Sequence, residues 1–104
     1  MNLLSPEAAR ERIIATCNEV RDLLVAKNES YGNSAFAPEG TFSRLNAISR
    51  LEVRIDDKLQ RIRSGSEFPG DDTVLDLIGY LVLLRIAWKA EQAFAKHGTS
   101  DLMP

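Results

Sequence analysis

Thr73-Val74-Leu75-Asp76-Leu77-Ile78-Gly79-Tyr80-Leu81-Val82-Leu83-Leu84-Arg85-Ile86-Ala87-Trp88 is the stretch on which the fold turns. From Val74 to Trp88 it is apolar on nearly every side, so a helix built from it needs cover on more than one face. Asp76 and Arg85 interrupt the run, which falls short of the ~20 residues needed to cross a bilayer. It therefore reads as a core helix, central to the fold or set in a subunit interface. Asp71 or Asp72 can cap its start, and Gly98 is placed to stop it, giving a helix over about residues 72–97. His97 reads as a cation at its end.

Upstream, Leu45, Ile48, Leu51, Ile55, Leu59 and Ile62 recur at helical spacing and predict a second helix over about residues 41–63. Ser49-Arg50-Leu51-Glu52 also fits a capping box, which would start that helix at Ser49 and leave a break near residue 48. Ser64-Gly65-Ser66 and Pro69-Gly70 end it and form the connection. Ser5, Pro6 and Glu7 open a first helix over about residues 6–27, a cap, a first-turn proline and a first-turn acid. Ala9, Ile13, Cys17, Val20 and Leu24 form its expected buried stripe, with Cys17 a core filler that thiol reagents reach slowly. Residues 28–40 are rich in turn formers yet carry Tyr31 and Phe36, which predicts an ordered loop, and an ordered loop in so small a chain usually has a job.

The expectation is an all-α fold, a small bundle of three main helices in a single domain spanning 1–104. With 104 residues it buries limited surface, so a homo-oligomer is expected to complete it. At 44% hydrophobic and 27% charged the composition is that of an ordinary globular protein, and a net charge of −2 supplies no global field for nucleic acid. Cys17 is the sole cysteine, so no internal disulfide forms, which fits a reducing cytoplasm. The first residues show no signal peptide, the last six read as a frayed tail, and nothing predicts membrane insertion.

Asp76 is the most informative residue, because a carboxylate inside a run of Val, Leu, Ile and Tyr must be paired, metal-bound or neutralised. Asp72 lies one turn earlier on its face and Tyr80 one turn later. In one alternative Asp72 caps the helix and Asp76 pairs with Lys58 or Arg61. In the other, Asp72 and Asp76 hold a divalent cation such as Mg²⁺, joined by Glu52 and Asp56 from one edge of the second helix. Carboxylates ~5 Å apart repel by roughly 3 kcal/mol at an effective dielectric near 20, so such a cluster needs a cation. Asp57 points away and suits an i,i+4 pair with Arg61. Arg44, Arg50, Arg54, Lys58, Arg61 and Arg63 make the second helix basic, a place for phosphate or a solvated face. There is no P-loop, paired CxxC or Ser-His-Asp arrangement.

In order, Lys27-Asn28-x-x-Tyr31-Gly32, Arg54-Ile55-Asp56-Asp57-Lys58-Leu59-x-Arg61 and Asp72-Thr73-x-x-Asp76-Leu77-x-x-Tyr80 resemble the nucleotide modification associated domain family, type 1, small proteins of phages and prophages. The resemblance spans about residues 20–88. The last motif also resembles the metal-binding helix of the all-α NTP pyrophosphatases of MazG and dimeric dUTPase type. There Asp72 and Asp76 match the second acidic pair, while Glu52 and Asp56 only approximate the first. The resemblance implies a nucleotide-binding protein of a bacterial host's cytoplasm, in its enzymatic form a Mg²⁺-dependent pyrophosphohydrolase. Asp56, Asp72, Asp76 and Glu52 would then hold the metal. Lys58, Arg61 and Arg54 would hold phosphate, and Lys27, Asn28, Tyr31, Asp57 and Tyr80 would contact the nucleotide. The rival is a non-enzymatic, oligomeric interaction module of phage origin, whose Asp and Arg residues only form salt bridges.

Overall fold

The computed structural model describes residues 2–38 and 45–97. Its elements are all helical, with no strand among the described residues. The chain divides into two compact units, Met1–Gly32 and Asn33–Pro104. Among the described residues no helix is long and apolar enough to cross a membrane.

The first unit is α1, Pro6–Ser30. Ser5 caps it as expected, its Oγ accepting the Ala8 N–H at 3.1 Å. The helix runs three residues past Lys27 and takes Asn28 out of the expected loop. Nothing between Lys27 and Ser30 forbids helical dihedrals, and the chain leaves the helix only where Gly32 adopts φ +61° and Asn33 φ +66°. The buried stripe needs a larger correction. Val20 is buried and Leu23 and Leu24 are half-buried, but Ile13, Ile14 and Cys17 are exposed. Periodicity fixes which side of a helix is apolar, but not how far along its length that side is covered. A thiol reagent should therefore label Cys17 of the native protein about as fast as the urea-unfolded chain. Labelling that waits for denaturant would show the thiol to be covered.

The second unit begins with a 3-10 turn, Ser34–Phe36, that puts Phe36 against the core. Arg50 ties this segment to the next helix by donating to the carbonyls of Ala37 and Leu45. α2 is Ala47–Ser64, unbroken at 48. Asn46 is its N-cap, accepting the Ser49 N–H at 2.8 Å, so Ser49 is capped rather than capping and its box with Glu52 does not form. Asparagine caps as well as serine does, and the earlier start adds a turn that carries Ile48 to the core. The earlier start expected near Thr41 lies outside the described residues, as do Arg44, Gly98 and the side chain of His97.

α2 closes on Gly65, at φ +71°. The Gly65 N–H donates to Ile62 O at 3.2 Å and the Ser66 N–H to Arg61 O at 3.1 Å, a Schellman pair that satisfies the last carbonyls. α3 then runs Thr73–His97. Two carboxylates serve its first turn: Asp72 accepts the Leu75 N–H at 2.9 Å, and Glu67 accepts the Thr73 N–H at 2.8 Å. Leu51 and Ile55 of α2 bury against Leu84 and Ala87 of α3, with Leu77, Tyr80 and Leu83 packed around them. Val74, Leu81, Val82 and Ile86, on sides of α3 turned from this seam, stay exposed. The all-round apolar character of the sequence thus covers one face against α2 and leaves another open within this unit.

Candidate functional site

Helix phase decides which charged groups of α2 reach α3. At ~100° per residue, Arg54, Lys58 and Arg61 share one flank of the α2 apolar face, and Glu52 and Asp56 share the other. The flank that meets Asp76 is the basic one. Lys58 Nζ lies 3.3 Å from an Asp76 carboxylate oxygen, with the two side chains 14% and 27% exposed. The pair answers the burial of Asp76 in the apolar run: partial removal from water makes an unpaired carboxylate costly, and Lys58 carries its charge to it on a flexible apolar stem.

One turn on, Arg61 Nη1 lies 3.3 Å from Asp71, also as a hydrogen bond. Arg61 thus turns to Asp71 and not to Asp57, which is exposed. The reason is the connection. Gly65 and the Pro69-Gly70 turn bring the chain back beside the last turn of α2, putting Asp71 within reach of Arg61. Arg54 is exposed and has no ion-pair partner among the described residues.

The motifs of the second unit, on α2 and α3, therefore meet at one seam. Lys27, Asn28 and Tyr31 belong to the first unit, where Lys27 and Asn28 lie in the last turns of α1 and Tyr31 is an exposed residue at its C-terminal cap. Tyr80 is half-buried on the core side of α3. Asp72 spends one oxygen on its helix cap, and Glu52 and Asp56 are exposed. Among the described residues no three or more of His, Cys, Asp and Glu gather in a way that could hold a metal ion. In this arrangement Asp76 is engaged by Lys58 and Asp72 by its helix cap, while Glu52 and Asp56 lie on the other flank of α2.

Beyond the sequence expectations, the structure adds Glu67 and Asp71 as anchors of the connection and Phe68 as an exposed ring on it. For Glu67 and Asp71 the only sequence signal is the C-terminal glycine of α2 with the Pro-Gly turn, which predict a tight return beside α2; Phe68 has none. What the fold defines is a helical hairpin with paired charges along its seam. No family model, curated protein or solved structure matches the chain.

Proposed function

We propose that the chain is a nucleotide-binding protein of phage-linked nucleotide metabolism, taking phosphate along the Arg54, Lys58 and Arg61 flank of α2. The observation that carries this reading is the row of three cations on one flank of α2, in which Arg54 is exposed and without an ion-pair partner among the described residues beside Lys58 and Arg61; the Lys58–Asp76 pair alone fits the interaction module equally well. In the free protein Asp76 and Asp71 occupy Lys58 and Arg61. A polyphosphate, with more charge than a carboxylate, competes for both cations and for unpaired Arg54. The resemblance to the nucleotide modification family supplies the ligand class.

The test is thermal shift with deoxynucleoside triphosphates, with and without Mg²⁺. A nucleotide at ~100 times its Kd stabilises the fold by about 2.7 kcal/mol, which is several degrees for a domain of this size. Arg54→Ala should melt like the wild type without ligand and shift less with it. The Mg²⁺ arm tests the pyrophosphohydrolase form, in which Asp76 leaves Lys58 for a cation: it requires a shift that appears only with Mg²⁺ and nucleotide together.

A second reading has its own observation. Val74, Leu81, Val82 and Ile86 leave an apolar face of α3 open, as in a module that assembles with itself. Light scattering at micromolar concentration should report a dimer or larger. A monomer removes that reading, and an oligomer that no nucleotide stabilises removes the first.

A further inference from the structure

We infer that the connection between α2 and α3 is a base-binding platform on which the ring of a nucleotide stacks against Phe68; the inference rests on the nucleotide reading above. Phe68 is 72% exposed. The residues before it are tied down. Gly65 and Ser66 are held by the Schellman bonds to α2, and Glu67 by the Thr73 N–H. The carbonyl of Phe68 itself accepts the Asp71 N–H at 3.0 Å. A braced backbone thus presents the ring to solvent. Beside it opens a cleft of about 630 Å³, lined in part by Arg61, Glu67, Phe68 and Asp71. It is shallow and largely open to solvent, so one face of a ring lies against protein and the other stays in water.

Charge fixes the orientation of the ligand. Arg61, the cation at this end of the phosphate flank, borders the cleft, and beyond it lie only the carboxylates of Glu67 and Asp71, so the uncharged ring occupies the Phe68 side and the phosphates the Arg61 side. The Glu67 oxygen not used by Thr73 can accept from an exocyclic amino group of the ring. Lys58 and Arg54 stand about 4.5 Å and about 10 Å further along α2 from Arg61, at ~1.5 Å per residue. A nucleotide whose ring lies on Phe68 therefore directs its phosphates towards those cations.

Calorimetric titration of each common deoxynucleoside triphosphate and of inorganic triphosphate into wild type, Phe68→Ala and Phe68→Tyr tests this. Inorganic triphosphate keeps the charge and lacks the ring. The wild type should bind at least one nucleotide about tenfold more tightly than inorganic triphosphate, the size of effect that base–aromatic stacking supplies. Phe68→Ala should lose that advantage, leave inorganic triphosphate binding unchanged and melt like the wild type, and Phe68→Tyr should retain it. If Phe68→Ala binds nucleotides as the wild type does while inorganic triphosphate also binds, the platform is wrong and the phosphate flank stands. If the wild type binds neither nucleotide nor inorganic triphosphate, the nucleotide reading falls and the platform with it.

Discussion

Replacing Asp76 with asparagine should lower the free energy of unfolding by about 2 kcal/mol in a urea melt without ligand. Breaking a fully buried ion pair costs ~3 to 5 kcal/mol, because it strands a charge, while an exposed pair is worth ~0 to 1. Lys58 at 14% exposure and Asp76 at 27% stand between those limits. Lys58→Met added to Asp76→Asn should recover most of the loss, since removing both partners leaves no stranded cation. The opposite sign is informative too. An Asp76→Asn protein as stable as the wild type or more so would mean that Asp76 sits among mutually repelling carboxylates, the arrangement that awaits a divalent cation. Coupled with loss of a Mg²⁺-dependent nucleotide shift, that result would replace the ion pair with a metal site.

Leu84→Ala should have the larger effect, about 3 kcal/mol, within the ~2 to 5 seen when a buried leucine is cut to alanine. Leu84 is 6% exposed and shares a cluster with Leu51, which is 4% exposed, and with Ile55 and Ala87. With so few buried side chains, one lost isobutyl group removes a large part of the core. Against a total stability of ~5 to 15 kcal/mol the urea midpoint should fall sharply at unchanged slope. Ile62→Ala, at a half-exposed position of α2, should cost less than ~1 kcal/mol. A Leu84→Ala protein that loses no more than Ile62→Ala would place the core elsewhere.

The helices were legible because their signals are local. Ser5, Pro6 and Glu7 mark the start of α1, and Asp72 that of α3, as written in the sequence. The start of α2 is ambiguous in the sequence, because Asn46 and Ser49 are both good caps three residues apart. The winner is set by which start brings Ile48 to α3, a tertiary matter. Burial was the least legible property: Cys17 and Val20 share one stripe of α1, yet the first is exposed and the second buried. At the seam, helix phase put Lys58 and Arg61 forward as partners of Asp76. Only the return path through Pro69-Gly70 assigns Lys58 to Asp76 and Arg61 to Asp71. Phe68 gave no signal, because one aromatic in a polar connection has no periodicity to betray it.

The wiring of the core also sets how fast it can form. Leu51, Ile55, Leu84 and Ala87 lie on consecutive helices, and the connection between them is already turned by Gly65 and Gly70. Closing so short a loop loses little chain entropy, so the hairpin belongs with the rapid folders of low contact order, on the microsecond to millisecond scale. On the ribosome, synthesis is slower than that closure. α1 is made before α2 and α3, and its Ile13 and Ile14, exposed in the folded protein, stand in water while those helices are made at ~5 to 20 residues per second. For those seconds the nascent chain shows apolar side chains with no completed core, and a chaperone that binds such segments has its opportunity then.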